Sequence, residues 1–201
     1  MENYKKLIYL KKNCIPDETC DEIIALFENE KQKVPGSTHG GVNKNVKDTD
    51  DYAIVNPENS LWLKIRSFLE IELFKNINLY RKQLSDGFFN SSENIFFGKS
   101  EFYISTIMLQ RYIKNKGKYI YHNDFSIDYS KKSYRCITFL WYLNDVECGG
   151  QTEFFNGELK IIPEKGKLLL FPASWTFPHS GKMPISSNKY IITGWIYSFF
   201  E

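Results

Sequence analysis

Two textures of apolar and polar positions divide the chain near residue 100. Before it, apolar residues recur at helical spacing. Cys20, Ile23, Ile24 and Phe27 fall at i, i+3, i+4 and i+7, which predicts an amphipathic helix after Pro16-Asp17-Glu18. Proline and acidic residues suit a first helical turn, where no N–H is needed and negative charge is favoured. This helix is expected to stop near Lys31 to Lys33, ahead of Val34-Pro35-Gly36. Asn59-Ser60 can cap a second, longer helix. Its stripe of Trp62, Ile65, Leu69, Leu73, Tyr80 and Leu84 is wide enough to cover a sheet face. Tyr4 to Leu10 reads as a short strand. Pro35 to Asp51, with Gly36, Gly40 and Gly41 among polar residues, reads as a loop, either a functional lid or mobile. Ser85 to Lys99 reads as a connection without chemistry.

From Glu101 the period shortens. Phe102 to Tyr112, Tyr119 to Asp124, Tyr134 to Leu143, Gln151 to Phe155, Leu159 to Ile162, Lys167 to Phe171 and Lys189 to Phe199 are rich in β-branched and aromatic residues and are punctuated by Gly, Pro and Asn. Two helices followed by about eight strands predict a mainly β α+β domain, a jelly-roll-like double sheet with helices packed on one side. One domain spanning 1–201 is expected, with 1–99 as helical support and loop and 100–201 as the catalytic core.

Composition narrows the function classes. The 26 basic and 24 acidic residues leave a net charge of +2 and scattered lysines, so nothing argues for a nucleic-acid or membrane partner. The first residues lack the apolar run of a signal peptide or a transmembrane span. The four cysteines, at 14, 20, 136 and 148, have no CxxC spacing. Reduced thiols in a cytoplasmic protein follow, and Cys20 and Cys136 suit core positions.

Candidate chemistry centres on the three histidines. On a strand, residues two apart share a face, so His122 and Asp124 can converge. His179 follows in Phe177-Pro178-His179-Ser180-Gly181. Two imidazoles and one carboxylate form the facial triad that holds non-haem Fe(II) with open positions. His39, alone in its loop, reads as ordinary surface. Lys189 starts the last strand, with Thr193 and Trp195 on its face. A lysine entering a β-sandwich is costly without an anion, and a bound carboxylate would supply one.

Taken in order, these residues resemble the iron- and 2-oxoglutarate-dependent oxygenases, in their prolyl 4-hydroxylase-like branch. The resemblance covers residues 100–199 and, more faintly, the Cys20 helix. It rests on Arg111-Tyr112, Gly117, His122-x-Asp124, Arg135 to Asn144, Gly149-Gly150-Gln-Thr152-Glu-Phe154, Pro163 to Gly166 running into Phe171, and His179 with Lys189, Thr193 and Trp195. It implies Fe(II) on His122, Asp124 and His179, and Lys189 pairing the C5 carboxylate of 2-oxoglutarate with help from Thr193. Tyr112 and Tyr142 would line that pocket, Trp195 would pack behind the metal, and Arg135 would face the substrate channel. Gly149-Gly150 would serve only as a tight turn. The implied reaction hydroxylates an unactivated C–H, releases succinate and CO2, and can draw on ascorbate as reductant.

With Asp124 present, no coordination position is freed for halide, so hydroxylation is expected over halogenation. A prolyl residue in a peptide or protein is the leading substrate; another side chain or a small molecule shares the same chemistry. The Tyr112–His122 interval is one residue longer than in the usual prolyl hydroxylases, and the Lys114–Lys118 turn can absorb it. A cupin-like zinc protein would leave Lys189 and Thr193 without a purpose. A catalytically silent relative would not need all four of His122, Asp124, His179 and Lys189. A nucleobase demethylase would need arginines after the distal histidine.

Overall fold

The computed structural model describes residues 3–55, 60–86 and 102–200. Among these are two α-helices, α1 (Asp17–Asn29) and α2 (Ser60–Leu84), and fourteen strands. The strands are β1 (Tyr9–Lys11), β2 (Val34–Pro35), β3 (Lys47–Asp48), β4 (Asp50–Ala53), β5 (Phe102–Ile104), β6 (Met108–Tyr112) and β7 (Lys118–His122). They continue with β8 (Ile127–Asp128), β9 (Ser133–Tyr142), β10 (Thr152–Phe154), β11 (Leu159–Ile161), β12 (Leu168–Pro172), β13 (His179–Gly181) and β14 (Lys189–Phe199).

Two antiparallel sheets form a jelly roll. The larger runs β1-β12-β9-β14-β6-β4-β2, with β5 also on β14 and β8 also on β9; the smaller runs β11-β10-β13-β7-β3. Period-2 alternation in the larger sheet sorts its side chains into two cores. Ile137, Phe139 and Trp141 of β9, Leu168 and Leu170 of β12, and Ile192 and Ile196 of β14 meet Phe27 of α1 and Trp62, Leu69, Leu73, Ile77 and Tyr80 of α2. The intervening residues Leu140, Tyr142, Leu169, Phe171 and Ile191 face the smaller sheet and pack with Phe154, Ile161 and Phe177. This parity also sends Lys189, Thr193 and Trp195 toward the space between the sheets, where they line a cavity.

The helices follow their stripes. α1 ends at Asn29, earlier than expected, because the Glu30 carboxylate accepts the N–H groups of Lys31 and Gln32 and the indole N–H of Trp62. The cap expected from Asn59-Ser60 and the Ser85–Lys99 connection lie largely outside the described residues.

Three expectations are corrected. Residues Asn3–Leu7 form a 3-10 helix, and only Tyr9–Lys11 pairs as a strand, with β12. Aromatic anchors take the place of a ladder: Tyr4 packs edge-on against Phe155 at 4.3 Å, and the Tyr80 hydroxyl donates to the Leu7 carbonyl. Phe102 to Tyr112 is two strands, because the Ser105 hydroxyl accepts the Trp195 N–H and the Ile107 carbonyl accepts the Ile54 N–H between them. The stretch from Pro35 to Asp51 is not a plain loop: β3 joins the smaller sheet through β7, and β4 joins the larger through β6. Strands of two to four residues carry too few positions for a readable period. What fixes this segment is a buried polar network instead. Lys47 Nζ lies 2.7 Å from Asp51, and Thr49 and Gln110 donate to the same carboxylate.

Candidate metal and cosubstrate site

β7 and β13 are hydrogen-bonded neighbours in which His122 and His179 stand directly opposite each other, just before a register shift in β13. Their ring centroids are 4.3 Å apart. Asp124 completes the cluster by a route that differs from the expected one. β7 stops at His122, so the His-x-Asp pair does not share a strand face. The chain leaves the sheet, and β9 captures the carboxylate: Thr138 Oγ1 donates to Asp124 Oδ2 at 2.7 Å, and Arg135 Nη1 reaches the Asp124 carbonyl at 3.4 Å. Asp124 Oδ1 then lies 3.7 Å from His122 Nε2 and Oδ2 lies 3.6 Å from His179 Nε2. One ligand atom from each of the three residues falls within 4.8 Å of the others.

The protonation states suit a metal. Each imidazole places Nδ1 against a carbonyl two residues back, His122 on Ile120 at 2.8 Å and His179 on Phe177 at 3.1 Å. With the proton on Nδ1, each Nε2 lone pair points into the cluster. Burial, and then the neighbouring His179, push the His122 pKa down to about 4, so this imidazole is neutral at physiological pH. The His122–Asp124 approach is therefore not an ion pair at that pH. Burial alone would raise the Asp124 pKa. The two imidazoles, the Thr138 hydroxyl and the Trp195 indole outweigh it and hold the carboxyl below its ordinary value. Two neutral imidazoles and a carboxylate are a donor set that fits Fe(II).

A cavity of about 460 Å³ opens over this cluster, a size suited to a small molecule. Lys189 forms part of its wall and is only 1% exposed. Its Nζ donates to the Gly150 carbonyl at 3.0 Å and sits 3.9 Å from the Tyr112 ring centre, opposite which it pairs in the sheet. Among the described residues no carboxylate partners it, and burial pushes its pKa down to about 7. Gly149 and Gly150 have φ of +74° and +73°, which glycine adopts at low cost; this turn presents the Gly150 carbonyl to the lysine.

The other expected residues fall as follows. Tyr112, Thr193, Trp195 and Arg135 all line the cavity. Thr193 Oγ1 donates to the Phe139 carbonyl at 2.9 Å. Arg135 stacks on Trp195 at 3.6 Å and donates from Nε to the Tyr197 hydroxyl at 2.8 Å. The Trp195 N–H influences Asp124 but makes no hydrogen bond of standard geometry. Tyr142 departs from expectation: it lies behind the wall, its hydroxyl 2.6 Å from that of Thr152, and it is Thr152 that meets the cavity.

Several lining residues were not anticipated: Thr138, Thr152, Gln110, Lys47 and the Ser37–Gly40 turn, which includes His39. Thr138 could have been found from parity, because it shares the inward face of β9 with Leu140 and Tyr142. Lys47 could not, since nothing in its local pattern marks it as buried.

Residues 107–197 match the 2OG-Fe(II) oxygenase superfamily. This part of the chain is similar to a 2OG-Fe(II) oxygenase domain. Fe(II) and 2-oxoglutarate are accordingly its cofactors, and the His-Asp-His cluster is compatible with the metal. No curated protein sequence matches significantly. Solved structures share the fold at low identity. A viral collagen prolyl hydroxylase from Paramecium Bursaria Chlorella virus-1, solved with 2OG, is 18% identical with a TM-score of 0.65, covering 96% of both chains. A Trichoplax adhaerens prolyl hydroxylase, solved with a hypoxia inducible factor peptide fragment, is 20% identical with a TM-score of 0.72, covering 96% of this chain and 84% of that one. A Pseudomonas putida prolyl-4-hydroxylase is 17% identical with a TM-score of 0.64, covering 94% and 91%.

Proposed function

We propose that this oxygenase hydroxylates a prolyl residue in a peptide or protein, with His122, Asp124 and His179 holding Fe(II) and Lys189 holding the distal carboxylate of 2-oxoglutarate. The observation that carries this reading is a single cavity that joins the metal-compatible cluster to a buried lysine with no anionic partner among the described residues. When bound, Fe(II) and 2-oxoglutarate supply with O2 the oxidising chemistry that hydroxylates a C–H bond, with succinate and CO2 as co-products.

The chain's own residues bind, orient and exclude. The Nδ1 contacts of both histidines keep Nε2 free for the metal, and Thr138 holds the Asp124 carboxylate in position. Lys189, charged once a carboxylate meets it, forms a charge-assisted contact that sets the cosubstrate's orientation. Leu140, Phe171 and Ile191 give the cavity an apolar wall that displaces water around the reacting centre.

A peptide target is favoured because solved structures of this fold include enzymes for collagen and for a hypoxia inducible factor fragment. On this reading residues 1–201 act as one catalytic domain, with α1 and α2 bracing the larger sheet. Cys14 and Cys20 are buried free thiols, in keeping with a reducing cytoplasm. No described helix is long and apolar enough to cross a membrane.

Anaerobic addition of 2-oxoglutarate to the Fe(II) protein should produce a visible metal-to-ligand charge-transfer band, absent in His179→Ala. An unchanged band in that variant rules out the ligand assignment. Proline-rich peptides should then gain one oxygen atom in step with succinate. Succinate without peptide oxidation keeps the oxygenase and rejects the tested peptides.

A further inference from the structure

Once metal and cosubstrate are in place, one cation of the cavity still lacks a counter-charge. Four lining residues carry formal charge: Lys47, Asp124, Arg135 and Lys189. Lys47 is neutralised by buried Asp51 at 2.7 Å. Fe(II) and the two carboxylates of 2-oxoglutarate cancel each other. Arg135 and Lys189 then stand against Asp124 alone, leaving a net single positive charge. Lys189 is the cation assigned to the cosubstrate, so the surplus resides on Arg135.

Arg135 is built as a fixed donor. Its guanidinium stacks on Trp195 at 3.6 Å, its Nε is held by the Tyr197 hydroxyl at 2.8 Å, and Nη1 reaches the backbone of Asp124. Among the described residues no carboxylate pairs with it, although both Trp195 and Arg135 line the cavity. A stacked, half-buried guanidinium with free N–H groups is a ready partner for a planar carboxylate.

We propose that Arg135 selects substrates carrying a carboxylate close to the hydroxylated carbon, supplied either by an acidic side chain next to the target residue or by the free carboxylate of a chain terminus. This rests on the oxygenase reading above, because the surplus charge is counted with both cofactors bound. Arg135 would then be a specificity-determining residue and not only a prop for Trp195.

The test measures binding without turnover, on wild-type protein loaded with Mn(II) and 2-oxoglutarate. The probes are end-capped peptides with one proline flanked by Asp, Asn or Lys, plus a peptide ending in a free prolyl carboxylate. The Asp peptide, the free-acid peptide or both should bind at least about tenfold tighter than the Asn peptide, the scale of a hydrogen bond to a charged group, with Lys weakest. Which of the two anionic probes gains identifies the carboxylate's source. Arg135→Gln should erase the preference, and Arg135→Lys, which keeps the charge, should retain part of it. A purely structural role would weaken all peptides alike and leave the ratio unchanged. Equal affinity for Asp, Asn and free-acid peptides, including no binding by any, overturns the proposal even if Arg135→Gln proves unfolded. Failure of the wild-type Fe(II) protein to give the charge-transfer band strikes the oxygenase reading instead.

Discussion

The buried lysine at the start of β14 should make cosubstrate binding consume a proton. Without an anion, burial holds the Lys189 pKa at about 7, against 10.5 for an ordinary lysine. A bound carboxylate needs the ammonium form. Above about pH 7, binding must therefore draw a proton from solvent, and affinity should fall by about tenfold per pH unit, levelling off below that pH. The decisive assay is calorimetry of 2-oxoglutarate binding to Mn(II)-loaded protein at several pH values, in buffers of different ionisation enthalpy. Proton uptake near one is expected at about pH 8.5 and little at about pH 6. Lys189→Arg, whose guanidinium stays charged, should flatten the profile. Affinity that is constant between about pH 7 and pH 9, with heats independent of buffer, refutes the argument. Stability of the cosubstrate-free protein should move the other way. Between about pH 7 and 10.5 the unfolded lysine holds the extra proton, so this group's contribution to stability rises with pH across that window and is lowest below it.

Other outcomes follow from the same geometry. Thr138→Val should weaken metal affinity by about 10–100-fold while Thr138→Ser largely retains it, as read by Co(II) or Mn(II) titration; equal loss in both would mean the hydroxyl does not position Asp124. Lys47→Met leaves the Asp51 carboxylate buried without its cation and should cost about 3–5 kcal/mol in chemical denaturation; a loss under about 1 kcal/mol would show that Thr49 and Gln110 suffice. Trp62→Ala removes a fully buried ring between α2 and the larger sheet and should cost about 3–5 kcal/mol by the same measurement. Gly149→Ala combines φ of +74° with a Cβ that would lie 2.4 Å from the Met183 carbonyl oxygen, so it should lower the melting temperature and weaken 2-oxoglutarate binding together. Weaker binding with unchanged melting would place the effect in the cavity alone.

Much of this was legible in the sequence, because long elements carry enough positions to show their period. The β9, β12 and β14 alternation separates helix-facing from cavity-facing residues, and α2's stripe marks its buried face. The residues of the metal cluster were legible as residue types in order. Their geometry was not: His122 and Asp124 converge through a chain exit captured by Thr138, a contact between residues that are fourteen apart, one on β9 and the other beyond the end of β7. The 35–51 segment was illegible for a related reason. Its position depends on Lys47, Asp51 and Gln110 satisfying one another in the interior, and buried pairing leaves no local hydrophobic pattern. Tyr142 was placed in the pocket by the resemblance; it does take the inward face of β9, but Thr152 stands between it and the cavity.

The origin of the three cluster residues has a mechanical consequence. His122 and His179 belong to the smaller sheet, whereas Asp124 is tethered by Thr138 and Arg135 to β9 of the larger one. An ion bound by all three would act as a clasp between the two layers of the jelly roll, adding to their side-chain packing and to the Lys47–Asp51 and Tyr142–Thr152 links. Metal loading should then slow amide exchange not only around the ligands but along both β7 and β9. The same clasp would let strain at the mouth of the roll be felt as a change in grip on the metal.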